Sequence, residues 1–265
     1  MARVFITGSA DGLGQMAAKR LADDGHEIVL HARSAERARH AMAAVAGACG
    51  ALIGDLSSIA ETRALAEQAN AAGPFDAVIH NAGVGYRERR VETIDGLEHV
   101  FAINVLAPYL LTALITRPAR LVYLTSGMHR GGHPDLGDLQ WRNRRWNGAQ
   151  AYSDSKLFDV VLAFAVARRW PEVLSNAVEP GWVATKMGGP GAPDDLAQGP
   201  VTQMWLAVSD DPRAMVSGRC FHHRQAREAH PAASDIEVQE GLLSACERLT
   251  GIALAAGRAD ENMTT

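Results

Sequence analysis

Short apolar runs alternate with longer amphipathic segments along almost the whole chain, and this alternation leaves few architectures open. Residues 3–7, 27–31, 51–54, 75–80, 119–125 and 174–178 read as strands, with a seventh at 217–222. Helical patterns fill the gaps at 13–24, 35–46, from Ser57 or Ser58 to Ala72, 97–116 and 149–170; two more follow at 201–208 and 235–254. Strands separated by helices lie parallel, because each crossover brings the chain back to the same edge of the sheet. The pattern predicts an α/β fold, a doubly wound and mostly parallel seven-stranded sheet with helices on both faces.

No internal repeat or low-complexity linker divides the 265 residues. Residues 1–257 are expected to form one domain that includes its substrate loops, and 258–265 a disordered tail. An apolar fraction of 47% lets a chain this long bury a core without metals or disulfides. Cys49, Cys220 and Cys246 show no CxxC spacing, and His129, His133, His222 and His223 have no matching carboxylate or cysteine cluster, so no metal site is expected. A net charge of −4 speaks against nucleic acid or an anionic membrane as partner. No apolar stretch reaches the roughly eighteen residues of a membrane span. The chain runs directly into a strand, with no room for a signal peptide, so its expected home is the cytoplasm.

Thr7-Gly8-Ser9-Ala10-Asp11-Gly12-Leu13-Gly14 joins the first strand to the first helix. Glycines there permit positive φ and let the backbone touch a pyrophosphate, while the helix N-terminus offers unpaired N–H groups to the anion. The expected fold is therefore Rossmann-type, although the spacing is G-x-x-x-G-x-G and not G-x-G-x-x-G. In NAD enzymes of this architecture a carboxylate at the end of the second strand grips the adenosine ribose. Here that end reads Val29-Leu30-His31-Ala32-Arg33-Ser34, without an acid. Arg33 can stack on adenine and pair with a ribose 2′-phosphate, with Ser34 and Arg37 beside it. NADP(H) is expected over NAD(H), with Asp11 nearby arguing mildly the other way.

Tyr152-Ser153-Asp154-Ser155-Lys156 places a Tyr and a Lys one helical turn apart. A phenol with a pKa near ~10 needs an adjacent cation to exchange protons at neutral pH, and Lys156 supplies one. Of 26 Lys and Arg residues only Lys19, Lys156 and Lys186 are lysines, which makes a chance pairing here improbable. Ser126 ends the fifth strand on the edge that faces the ligand crevice, where it either holds a substrate oxygen or caps a turn. Asn104 sits in an apolar helical run, a costly place for an amide that lacks partners.

In this order and spacing the motifs resemble the single-domain short-chain dehydrogenases/reductases, over essentially residues 1–255. The resemblance implies a catalytic tetrad of Asn104, Ser126, Tyr152 and Lys156. Asn104 would hold a relay water, and Lys156 would bind the nicotinamide ribose. It implies a cofactor site built from Gly8, Ser9, Asp11, Gly12, Leu13 and Gly14, from Arg33, Ser34, Asp55 and Leu56, and from Asn81, Ala82 and Gly83. Lys156, Pro180, Gly181, Val183 and Thr185 complete it. The implied activity is interconversion of a carbonyl and an alcohol, with Tyr152 as general acid/base. Other readings are a nucleotide-dependent epimerase or dehydratase, and a non-catalytic redox sensor or scaffold. The family also associates into homodimers or homotetramers, here expected through the helices at 97–116 and 149–170.

Ser126 and Tyr152 stand farther apart than in compact members, and the start Ser126-Gly127-Met128-His129 is similar to the retinol-dehydrogenase-like and protochlorophyllide-reductase-like branch. Those relatives take bulky, apolar carbonyls. In the added segment Trp141 and Trp146 either wall the substrate site, together with His129, or pack on the sheet edge. Met187 begins a Gly- and Pro-rich stretch suited to a lid.

Overall fold

The computed structural model describes residues 1–87 and 89–257, so the expected tail at 258–265 lies outside the described residues. The strands are β1 (Arg3–Ile6), β2 (Glu27–Ala32), β3 (Ala48–Ile53), β4 (Ala77–His80), β5 (Arg120–Leu124), β6 (Leu174–Glu179), β7 (Arg219–His222) and β8 (Gln225–Arg227). They form one sheet in the order β3-β2-β1-β4-β5-β6-β7-β8, parallel throughout except for the antiparallel pair β7–β8. Strand order reverses between β1 and β4, which opens a crevice at the carboxyl ends of those two strands.

Side-chain alternation divides the core. Val4 and Ile6 of β1 face one layer while Phe5 faces the other; Ile28 and Leu30 oppose Val29, and Val122 and Leu124 oppose Leu121 and Tyr123. Helices α1 (Gly12–Asp23), α2 (Ala35–Ala44) and α7 (Val201–Val208) cover the first face. Helices α3 (Ile59–Ala72), α5 (Ala107–Leu114), α6 (Gly148–Arg169) and α8 (Ile236–Thr250) cover the second. Each fully buried Leu, Ile or Phe here contributes about 1.5–3 kcal/mol of transfer free energy. Asp11, Ser34, Ser58, Asn147 and Asp235 cap α1, α2, α3, α6 and α8 through their side-chain oxygens.

The last helix, expected to reach 254, stops at Thr250 before Gly251 at φ 70°, and three further elements differ from the sequence reading. The sheet has eight strands, not seven: β8 is exposed and polar, and its hairpin turns through His223 and Arg224 at φ 49° and 60° without the Gly or Asn that announces such a turn. β3 begins at Ala48, three residues before the expected start, because as an edge strand it carries no clean apolar pattern. The expected helix at 97–116 is a composite of α4 (His99–Phe101), a π-helical turn at Ala102–Leu106 and α5. Pro108 cannot donate the N–H that an α-helix would place on the Asn104 carbonyl, and the π turn falls at this break.

The outward faces of α5 and α6 are covered from within the chain. α8 packs along α6, and the segment that follows it is fastened by its carbonyls: Tyr109 donates to Ile252 (2.6 Å), Trp170 to Ala255 (2.8 Å) and Arg117 to Ala256 (2.9 Å). Among the described residues no helix is long and apolar enough to cross a membrane.

His80, at the end of β4, is buried against Tyr123 with Nε2 3.1 Å from Thr112, and burial pushes its imidazole down to about 3. Unfolded chain takes up this proton near pH ~6.5, the folded chain only near 3. Stability is therefore full above that range and falls as pH drops through it, by up to about 1.4 kcal/mol per unit from this group. Urea midpoints measured at about pH 7 and about pH 5 are expected to differ less in His80→Asn than in the wild type.

Candidate active site

The glycine-rich turn is held by the end of β4. Thr7 Oγ1 accepts from the N–H groups of Asn81 (3.0 Å) and Ala82 (3.1 Å), and Asn81 Nδ2 donates back to the Thr7 carbonyl (3.0 Å). Gly8 (φ +63°) leaves no room for a side chain, since a Cβ would stand 2.8 Å from Ala82 Cα. A Cβ on Gly14 would collide with Asn81 and come within 2.6 Å of the Gly8 carbonyl. The turn is thus pressed against β4 while its other side, with Gly8, Asp11, Gly12 and Leu13, lines a cavity of about 490 Å³. Bare backbone at a helix N-terminus, facing a cavity of this size, fits a dinucleotide phosphate. Ser9 points away: it is fully buried, donates to Ile6 and accepts from the His31 N–H.

His31 is a tie that sequence reasoning missed. Its Nδ1 accepts from Gly8 N (2.9 Å) and its Nε2 lies 2.9 Å from the Gly54 carbonyl. Burial lowers its pKa, keeping the ring neutral and able to accept. Beyond it Ala32, Arg33, Arg37, Asp55 and Leu56 line the far end of the cavity. Ser34 is engaged as the α2 cap, accepting from Arg37 N, and Asp55 accepts from Ser57 N. Asp11 pairs with Lys186 and, at 3.7 Å, with Arg37. The Lys186 hydrogen bond holds its carboxyl below the usual range and so keeps it ionised.

At the opposite end Tyr152 and Lys156 project from α6 into the same cavity, with Thr125 and Leu124 at the tip of β5. Lys156 Nζ lies 5.8 Å from the Tyr152 ring centroid and donates to the Leu124 carbonyl and to Asp159 Oδ2, each at 2.8 Å. Burial raises the phenol pKa, while the charge of Lys156 and a hydrogen bond with Ser126 draw it down. Asn104, fully buried on the π turn, accepts from Val84 N (2.8 Å) and donates to the Val84 carbonyl (3.1 Å) and to Ser155 Oγ (2.9 Å). Its amide thereby ties the 83–84 segment to α6. The two chemical ends, phosphate turn and phenol, share one cavity across the switch point of the sheet.

A family model described as short chain dehydrogenase matches residues 2–127. An uncharacterized oxidoreductase of Emericella nidulans is 47% identical over 264 residues, covering 97% of this chain and all of that one (100%). The chain belongs to the short-chain dehydrogenase/reductase family. Human retinol dehydrogenase 13 is 32% identical over 283 residues, covering 94% of this chain and 84% of its own, which places the chain in a retinol-dehydrogenase-like branch. An uncharacterized protein from Mycobacterium paratuberculosis has a crystal structure that superposes with a TM-score of 0.84, at 26% identity over 96% of this chain and 95% of that one. The protein is therefore an oxidoreductase of carbonyl and alcohol groups that binds a nicotinamide dinucleotide.

In this dehydrogenase/reductase the loop after β6 closes over the phenol. Gly181 (φ +90°) follows Pro180, and Trp182 N donates to Asp194 Oδ2 (2.6 Å). Val183 is buried, and Thr185, whose Oγ1 accepts from Gly188 N, faces the cavity. Met187 reaches the phenol: the Tyr152 hydroxyl points at its sulfur at 3.7 Å. The other three expected substrate residues are not brought to the cavity. Trp141 and Trp146 pack edge to face at 5.3 Å, with the Arg144 guanidinium 3.7 Å over Trp141, so the aromatic pair closes the added segment on itself. His129 is fully buried, with Nδ1 2.7 Å from the Ser126 carbonyl.

Contrary to the expectation that His129 has no matching carboxylate or cysteine, Glu179 and Cys220 lie beside it with all three ligand atoms within 4.8 Å. Chain crossings between β5, β6 and β7 bring them together. Arg130 already supplies a cation to this group, 2.7 Å from Glu179 Oε1, and links the Ser126 turn to the Pro180 turn.

Gly14→Ala is expected to cost about 1–3 kcal/mol by overpacking against Asn81 and the Gly8 carbonyl. Urea denaturation measures the loss, and nucleotide fluorescence titration is expected to show weakened binding alongside it.

Proposed function

We propose that this chain is an NADPH-dependent reductase of bulky, apolar ketones or aldehydes, with Tyr152 as proton donor. The observation that carries the reading is the phenol of Tyr152 at one end of a cavity whose other end is the phosphate turn, with the buried ammonium of Lys156 beside it. When bound, the dinucleotide supplies the hydride. Tyr152 delivers a proton to the carbonyl oxygen as charge develops there, and Lys156 stabilises the phenolate left behind. Ser126 orients the same oxygen by hydrogen bonding. Asn104 keeps the 83–84 segment against α6, because its amide is engaged with Val84 and Ser155. Met187 and Tyr86, whose ring meets Tyr152 at 5.9 Å, supply the apolar and aromatic contacts for a bulky substrate.

Arg33 and Arg37 flank the far end of the cavity, where β2 ends without a carboxylate, and support a preference for a ribose 2′-phosphate. We read the chain as a monomer, since α8 and the segment after it cover the faces of α5 and α6 through which association was expected. Light scattering on a sizing column is expected to give a mass near 28.3 kDa; twice that mass sinks this reading.

In an assay of nicotinamide oxidation against a panel of aromatic ketones, aldehydes and quinones, wild type is expected to turn over with NADPH. Tyr152→Phe is expected to lower kcat by about a hundredfold or more. Arg33→Ala and Arg37→Ala are expected to raise KM for NADPH about tenfold while leaving KM for NADH nearly unchanged. A Tyr152→Phe enzyme as active as wild type would overturn the assignment.

A further inference from the structure

The pairing of Lys156 with Asp159 has a chemical consequence that the Tyr–Lys pair alone lacks. Asp159 lies in the run Leu157-Phe158-Asp159-Val160-Val161-Leu162, an otherwise apolar stretch of α6. Its side chain is only 3% exposed and that of Lys156 5%, and the two meet at 2.8 Å. A carboxylate buried this deeply persists only where a cation answers it. Among the described residues, Lys156 is the cation whose charge acts on Asp159, and Asp159 the carboxylate whose charge acts on Lys156. Tyr86 lies against Tyr152, and Tyr123 on β5 faces the field of Asp159, with its hydroxyl 2.7 Å from Thr112. His80 beyond it is neutral, and Leu124 contributes only a carbonyl.

We propose that Asp159 is a positioning residue that carries the standing counter-charge of Lys156, so that the resting Tyr152–Lys156–Asp159 group is neutral and the phenol keeps its proton until a carbonyl takes it. The inference rests on the reading of Tyr152 as proton donor. A Tyr–Lys pair alone has a net charge of plus one, and losing a proton brings it to zero. With Asp159 ionised the group starts at zero, and losing a proton leaves a buried negative charge in a site of low dielectric. The carboxylate thus opposes part of the pull that Lys156 exerts on the phenol, in the same direction as burial. Burial by itself disfavours the Lys156 cation, and Asp159 raises its pKa and keeps it charged. The resting site therefore holds the phenol in its protonated form, the form in which reduction begins.

The test is a titration of tyrosinate absorbance in the nucleotide-free enzyme. The signal of Tyr152 is isolated as wild type minus Tyr152→Phe, and as Asp159→Asn minus the Asp159→Asn/Tyr152→Phe double variant. Asp159→Asn keeps the shape and an acceptor for Lys156 but removes the charge. The Tyr152 midpoint is expected to fall by on the order of one pH unit. The alkaline limb of kcat for NADPH-dependent reduction of phenanthrenequinone is expected to fall by the same amount, with KM for NADPH unchanged. If Asp159→Asn does not fold, Asp159→Ser, which leaves space for a water on Lys156, carries the same expectation. An unchanged or higher midpoint in the charge-free variant overturns the proposal, even where Tyr152→Phe has confirmed the reductase. A lowered midpoint in an enzyme that reduces no carbonyl upholds the charge balance and removes the reductase reading instead.

Discussion

The contact between the glycine-rich turn and the end of β4 is the constraint on which the rest of the site depends. β1 and β4 are neighbours at the point where strand order reverses, so everything bound in the crevice is measured from their tips. Thr7, Asn81 and Ala82 lock those tips together with hydrogen bonds of 3.0–3.1 Å, and the missing side chains of Gly8 and Gly14 let the two backbones touch. His31 adds a second brace from β2. The first turn of α1 is aimed by these contacts, and its capping Asp11 is in turn held by Lys186 from the loop after β6.

On the other side of the crevice the organising element is α6. Almost every residue from Ala151 to Val166 is buried, although that stretch carries three ionisable side chains, Asp154, Lys156 and Asp159, in addition to Tyr152. Each has a partner: Asp154 accepts from His133 N (2.8 Å) and pairs with Arg144 at 3.0 Å, while Lys156 and Asp159 answer one another. Burial without partners would cost several kcal/mol per charge, so these contacts dictate where the added segment between β5 and α6 must lie. Arg144 reaches Asp154 and at the same time covers Trp141, which explains why that segment folds on itself and does not wall the cavity.

The strand–helix alternation was readable because buried parallel strands and amphipathic helices each leave a period in the sequence. The glycine-rich turn and the Tyr152–Lys156 pair, which line one cavity, stood out in the sequence because turn geometry and helical spacing restrict residue type and position. β8 was not, because its turn conformation is imposed on His223 and Arg224 by the neighbouring strand and has no local signature. Asp159 could have been noticed as a lone acid in an apolar run, a pattern that calls for a partner one turn away. The ties of His31, and the gathering of His129, Glu179 and Cys220, arise between segments far apart in the chain and leave no trace in local pattern. The packing of α8 along α6 was likewise not legible, because an apolar helix face reads the same whether the chain's own helix or a second copy covers it.

That covering has a consequence for synthesis. Chains emerge from the ribosome N-terminus first, and α8 with its fastening carbonyls at Ile252, Ala255 and Ala256 appears only after all eight described strands. Until α8 emerges, α6 and α5 stand with an apolar face open to water while the strands beneath them are already free to pair. The helix that bears Tyr152 is therefore sealed only after the sheet is complete, and until then the nascent chain carries an adhesive surface that α8 and the segment after it remove.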